Sequence, residues 1–243
     1  MNNKIAAIIL GAGKGTRMKS DLPKVMMPVC NKSMIKRIID TLEELKVDEI
    51  VTVIAPDGDI VKKEVAPYKT CVQDKQLGTG HAVNCASDLL KGFDGPVMVI
   101  FGDTPLIKKE TFEHSVNKVR EGYSVVVLGF RPEDPARYGR LKMKGNTLER
   151  IVEYKDATEE ERAIDFCNSG FMAFDGKVLF DILAKIGNEN AAGEYYLTDA
   201  VEVASKMGLK CTAFEGDAEE VASANTQEEL AMLETYLKKR ENV

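Results

Sequence analysis

Residues 5–18 read IAAIILGAGKGTRM, six apolar residues running into a loop of three glycines, two cations and a threonine. An apolar run this short, ended by glycine, has the length of a buried strand. A glycine-rich loop leaving such a strand lets backbone N–H groups come close to an anion. Two familiar phosphate loops nearly fit, and both fail. Counting from Gly11, a Walker A loop needs glycine at the sixth position, where this chain has Thr16. A dinucleotide fingerprint is met at Gly11 and Gly13 but fails at Thr16, and no acidic residue ends a second strand where a ribose would need it. What remains is a longer basic loop, in which Lys14, Arg17, Lys19 and Lys24 place four cations together. Four cations suit a triphosphate better than a single phosphate.

The same grammar repeats downstream. Apolar runs at 49–54, 96–101 and 124–130 read as further buried strands, with a short one at 70–73. Between them, 34–45, 80–90 and 108–120 carry apolar residues at three- and four-residue spacing, as in the stripe Ile35, Ile38, Ile39, Leu42 and Leu45. Strands alternating with helices predict right-handed βαβ units, and so an α/β fold with a Rossmann-like, mixed but mostly parallel sheet flanked by helices. Ligands in such sheets gather beyond the carboxyl ends of the strands. That places a site after Leu10, Gln73 and Phe101.

The second half changes character. Segments 139–143 and 148–154 read as a hairpin turning at Gly145–Asn146, with further strands at 167–174 and 211–214 and helices at 177–185, 197–207 and 226–239. Thr158 and Glu161 have capping-box spacing in an acidic segment, 156–162, expected to be a solvated face. With no repeat or low-complexity linker, 1–243 reads as one domain. A nucleotide-side half covers about 1–130, a mixed half about 131–230, and a helix about 226–239 closes it.

Composition excludes several classes. Net charge is −6, which disfavours nucleic acid or an anionic membrane as partner. Five cysteines without a C-x-x-C pair read as reduced thiols. His81 and His114 stand far apart, which argues against a histidine metal site or a Ser-His-Asp triad. The first apolar run is too short for a signal peptide, and no stretch approaches the ~20 apolar residues of a membrane span. A cytoplasmic protein is expected.

Three stretches carry the chemistry. In FGDTPL (101–106), Asp103 follows a strand and could bridge a hard cation to a phosphate; Mg²⁺ needs only one or two protein carboxylates. In QDKQLGTGHA (73–82), Gln73 and Gln76 offer amide edges to a base, and Gly78-Thr79-Gly80 leads into a helix. RYGR (137–140), EYKDA (153–157), CNSGF (167–171) and GEYYLTD (193–199) supply hydrogen-bonding groups of the kind that recognise sugar hydroxyls and amides, with Tyr195 and Tyr196 as lid or core residues.

In this order the stretches resemble the sugar-phosphate nucleotidylyltransferases. Within them they look like the N-acetylglucosamine-1-phosphate uridylyltransferase half of the bifunctional enzyme of bacterial UDP-N-acetylglucosamine synthesis. The likeness runs from about residue 5 to about residue 225. It implies the nucleotide-diphospho-sugar transferase fold, UTP and a sugar-1-phosphate as small-molecule partners, Mg²⁺ as cofactor, and in-line displacement of pyrophosphate. It implies that Leu10, Gly11, Ala12 and Gly13 contact the nucleotide, with Gln73, Gly78 and Thr79 at the base. Arg17, Lys24 and Asp103 become the catalytic set, with Asp103 and Asn225 as metal ligands. Phe101, Gly102, Gly139, Glu153, Asn168 and Asn225 fall on the sugar side.

Gly11, Phe101, Tyr154 and Ser169 depart from that family's usual alanine, tyrosine, histidine and threonine, and none of these changes removes a charge from the proposed chemistry. The acetyltransferase β-helix that forms the bifunctional enzyme's trimer has no counterpart up to Val243. That leaves open a stand-alone or a truncated enzyme, and with it the oligomeric state. Another sugar-1-phosphate, another NTP, or a non-catalytic nucleotide-sugar sensor remain the rival readings.

Overall fold

The computed structural model describes residues 4–13, 18, 20, 22–135 and 137–241. Its strands are β1 (Ala6–Leu10), β2 (Pro28–Val29), β3 (Lys32–Ser33), β4 (Glu49–Ile54), β5 (Lys69–Val72), β6 (Pro96–Phe101), β7 (Val125–Phe130), β8 (Arg140–Lys144), β9 (Thr147–Val152), β10 (Cys167–Asp175) and β11 (Cys211–Glu215). Its helices are α1 (Met34–Glu44), α2 (Asp59–Glu64), α3 (Thr79–Asn84), α4 (Lys109–Arg120), α5 (Glu159–Arg162), α6 (Gly176–Leu183), α7 (Ala200–Lys206) and α8 (Gln227–Glu241).

The main sheet runs β11-β7-β10-β6-β1-β4-β5. β6, β1, β4 and β5 are parallel neighbours, as are β11 and β7, while β10 lies antiparallel between β6 and β7. The expected α/β, mixed and mostly parallel sheet is the one observed. β1, β6 and β7 are almost wholly buried, which explains their continuous apolar runs: both faces are covered by helices. The stripe Ile35, Ile38, Ile39 and Leu42 turns α1 onto one of those faces, and Ser33 caps the helix by accepting from the Lys36 N–H at 3.2 Å.

The hairpin β8–β9 joins the sheet through Arg140 opposite Cys167. The Thr158 capping box is present, with Glu161 N–H donating to Thr158 Oγ1 at 3.2 Å and Thr158 N–H to Glu161 Oε2 at 3.0 Å. The segment is more than a solvated face, however. Glu161 is only 8% exposed and pairs with Arg150 on β9, so it pins α5 to the hairpin. Hydrogen bonding by the Thr158 N–H and by Arg150 pulls its carboxyl down to about 2.

Other departures are local. Segment 80–90 is not one helix: α3 stops at Asn84 and a 3₁₀ turn follows over Ser87–Leu90. Asn84, Ser87 and Asp88 have short polar side chains that compete with helical backbone bonds. A 3₁₀ turn, Leu197–Asp199, likewise precedes α7. The β2–β3 hairpin turns on Cys30 and Asn31, both at positive φ, without the Asn-Gly signal such turns usually show.

Candidate active site

Two adjoining cavities open beyond the carboxyl ends of β1, β5 and β6, where the strand order placed a site. One, of about 270 Å³, is lined by Leu10, Ala12, Gly13, Lys24, Gln73, Gly78 and Asp103. The other, of about 320 Å³, is lined by Arg137, Glu153, Tyr154, Lys155, Asn168, Tyr196 and Thr198. Thr79, Phe101 and Glu194 line both and form the wall between them.

The glycines in and beneath the first cavity do different jobs. A Cβ on Gly13 would meet nothing within 4 Å, so its backbone is open to a ligand. Gly11 lines neither cavity; its N–H donates to Val53 O at 2.8 Å, and a Cβ there would lie 3.2 Å from the same carbonyl. Gly102 also lines neither, because its N–H donates to Leu10 O at 3.0 Å and a Cβ would fall 2.7 Å from the Val25 side chain. Both serve the close approach of backbones beneath the cavity floor.

The loop from Gln73 to Gly80 is fastened on three sides. Gln73, 5% exposed, donates from Nε2 to Gly78 O at 3.1 Å and lies 3.2 Å from His81 Nδ1. Gln76 Nε2 donates to Ala12 O at 2.7 Å, tying this loop to the glycine loop. From the other half of the chain, Tyr195 N–H donates to Leu77 O at 2.8 Å, Gly80 N–H to Tyr195 O at 2.8 Å, and Leu197 N–H to Thr79 Oγ1 at 2.9 Å. Gly78 sits at φ +112° with a would-be Cβ 2.6 Å from Tyr195 O, so only glycine allows this crossing.

Asp103 is presented by a tight turn in which the Thr104 N–H and hydroxyl both bond Phe101 O, at 3.1 and 2.8 Å. Its carboxylate pairs with the Lys24 ammonium, and the same ammonium donates to Asn225 Oδ1 at 2.7 Å. Asn225 stands just before α8, where Thr226 and Glu229 form a second capping box: Glu229 N–H donates to Thr226 Oγ1 at 3.2 Å, and the N–H groups of Asn225 and Thr226 donate to the Glu229 carboxylate. Further along, Gln227 Nε2 bonds Met18 O at 3.0 Å and Arg240 bonds Leu106 O at 2.7 Å. Leu230, Leu233 and Leu237 pack with Met18, Met27, Met34 and Leu106. The helix thus fixes Asn225 beside Asp103. A carboxylate and an amide oxygen converging on one cation are the hard donors Mg²⁺ prefers, and two suffice when phosphates and water complete the shell. Among the described residues, no group of three or more His, Cys, Asp or Glu is placed so that it could hold a metal ion.

In the second cavity, Glu153 lies one residue past β9 and accepts from the Thr198 hydroxyl at 3.0 Å. Burial pushes its carboxyl up, and the Asp156 charge adds to this while the Thr198 hydrogen bond opposes it. Asn168 on β10 accepts from Gly170 N–H at 3.0 Å through Oδ1, and its own N–H donates to Gly139 O at 2.8 Å. Gly139 lines neither cavity; it holds Asn168 and would place a Cβ 3.6 Å from Glu153 Oε1. A bulge between Asn168 and Met172 puts Gly170 at φ +92°, against the Phe101 ring. Behind Glu153, burial and the charges of Glu202, Glu153 and Asp156 raise the Asp199 carboxyl to about 6.

The structure therefore brings together Lys24, Asp103 and Asn225, and separately Glu153, Asn168 and Gly139. Arg17, with Lys14 and Lys19, lies outside the described residues. Glu194 and Thr198 were not singled out by the sequence, though both fall within the GEYYLTD stretch. Tyr196 lines the second cavity, whereas Tyr195 acts through its backbone. No helix among the described residues is long and apolar enough to cross a membrane.

Residues 7–167 match the model of the MobA-like NTP transferase domain. The bifunctional protein GlmU of Rhodospirillum rubrum is 51% identical over 239 residues, which are 98% of this chain and 54% of that protein. Its counterpart in Paramagnetospirillum magneticum is 46% identical over 241 residues, with 98% and 54% covered. The chain spans about half the length of these curated relatives. A crystal structure from Bacillus anthracis, described as a glucose-1-phosphate thymidylyltransferase, superposes with a TM-score of 0.76 over 95% of this chain and 94% of that one. At 22% identity that likeness speaks to the fold alone.

Proposed function

The chain belongs to the MobA-like NTP transferase domain family, and from that premise we propose that it moves the uridylyl group of UTP onto N-acetylglucosamine-1-phosphate. The observation that carries this reading is the shared wall of Thr79, Phe101 and Glu194, across which ligands in the two cavities would meet. The half-length likeness to proteins named GlmU supports the same reading.

A phosphate oxygen of the sugar phosphate attacks the α-phosphorus of UTP. The new P–O bond forms as the bond to the β-phosphate breaks, and pyrophosphate leaves with the electron pair. The attacker is already an anion, so the chain supplies position and charge, with no nucleophile or general base. Lys24, and Arg17 with it, would offset the repulsion between the two anions. Gly13 offers open backbone to the phosphates, and the base would sit beside Gln73 and Gly78, which line the same cavity. Glu153 and Asn168 would accept and donate hydrogen bonds to the sugar hydroxyls and acetamide. Asp103 and Asn225 would hold Mg²⁺, which when bound neutralises phosphate charge. The five cysteines, all unpaired, suit a reducing compartment such as the cytoplasm.

A panel of sugar-1-phosphates and nucleoside triphosphates, read by pyrophosphate release, tests the proposal. UTP with N-acetylglucosamine-1-phosphate should give the highest kcat/KM. A preference for glucose-1-phosphate would change the sugar, and silence on every pair would overturn the reading.

A further inference from the structure

The ammonium of Lys24 occupies the point on which both candidate metal ligands converge. It pairs with the Asp103 carboxylate and donates to Asn225 Oδ1 at 2.7 Å. The cluster is largely shielded, with the Lys24 and Asp103 side chains 13% and 17% exposed. A shielded carboxylate needs a counter-charge, and here a residue of the same chain provides it. The same ammonium cannot share these oxygens with a divalent cation, because two positive charges would then contact one carboxylate. Lys24 also lines the nucleotide cavity beside Gly13. Its flexible stem allows the charge to swing between two anionic partners.

We propose that Lys24 is a resting plug in the metal position, held between Asp103 and Asn225 until a triphosphate draws its ammonium away. A divalent cation then enters together with the nucleotide and not ahead of it. The inference rests on the nucleotidyl-transfer reading of the site. Charge stays balanced in both states: the carboxylate has the ammonium before binding, and the phosphates have it afterwards.

Mn²⁺ binding to the nucleotide-free protein, followed by the electron paramagnetic resonance of unbound Mn²⁺, tests the plug. Lys24→Met should bind Mn²⁺ at least about tenfold more tightly than the wild type, since the Asp103 carboxylate then no longer contacts the competing ammonium. Adding Asp103→Asn to that variant should abolish the gain. Lys24→Gln, also uncharged, gives a second reading should the methionine disturb folding, which circular dichroism reports. Mn²⁺ affinity in both variants equal to or weaker than wild type would overturn the proposal. The measurement contains no nucleotide, so its failure is distinct from failure of the uridylyl-transfer reading, which shows instead as no pyrophosphate from the wild type.

Discussion

The Gly80 N–H donates to the carbonyl of Tyr195 at 2.8 Å, and this bond joins the two segments that bring Thr79 and Glu194 to the wall shared by both cavities. Gly78, two residues earlier, has no room for a side chain against that carbonyl. Gly78→Ala should therefore raise KM for UTP and for the sugar phosphate together, about tenfold or more, and cost at least about 2 kcal/mol of stability. Initial rates and thermal unfolding check this. A change in KM for UTP alone would show that the crossing does not couple the cavities.

Thr198 is expected to position Glu153. Its hydroxyl hydrogen bond is what opposes the upward push of burial on that carboxyl. Thr198→Val should raise KM for the sugar phosphate about 5- to 10-fold, the scale of one lost hydrogen bond, with KM for UTP unchanged. Because Glu153 would then protonate at higher pH, the acidic limb of the sugar-phosphate kcat/KM profile should move upward. Thr198→Ser should restore both. An unmoved acid limb would reduce the hydroxyl to packing.

Asp103→Ala should lower pyrophosphate release by about 10²–10³ or more, the scale of losing one stabiliser of transition-state charge. Asn225→Ala should fall in the same direction with a smaller loss, since an amide carries no charge. Near-wild-type turnover by Asp103→Ala would remove it from the chemistry.

Asp199 offers a stability test. Its folded-state carboxyl is raised to about 6, so the folded protein holds this proton where the unfolded chain has released it. The contribution is full below the unfolded value near 3.8 and is lost as pH rises to about 6. Asp199→Asn should stabilise the protein at pH 7–8 by about 1 kcal/mol, after discounting for its half-buried setting, and confer no such gain near pH 4. Thermal unfolding across pH measures the difference, and a gain independent of pH would point to another cause.

Glu161 has the opposite sign. Its carboxyl is lowered to about 2 by the Thr158 N–H and by Arg150, so its contribution is present above about 4.5 and is lost as pH falls toward 2. Glu161→Ala should cost about 1–2 kcal/mol at neutral pH by removing the capping box and the tie to β9. Chemical denaturation reads this; an unchanged midpoint would mean that α5 is held by other contacts.

The strands were legible because β1, β4 and β6 are covered on both faces, and burial on both faces leaves a continuous apolar run. Helix α2 was not, because only Val61 among its six residues is buried and one contact makes no period. The glycines show a different limit. Gly11 and Gly102 sit in motifs that read as ligand loops, yet each answers to a backbone carbonyl supplied by another strand. Their roles depend on the approach of β1, β4 and β6, which no local spacing encodes. The same holds for Lys24, whose partners Asp103 and Asn225 lie 79 and 201 residues away. Thr158 and Glu161 could be found because a capping box is a local device, but their burial against Arg150 could not.

The docking of α8 against the Asp103 loop bears on how the protein is made. Synthesis runs at about 5–20 residues per second, so Asn225 leaves the ribosome on the order of ten seconds after Asp103. Through that interval a nascent chain can form the β1–β6 sheet core without the asparagine that completes the cluster. The contact that the Lys24 ammonium makes with Asp103 and Asn225 together is therefore complete only once the residues leading into α8 have been made.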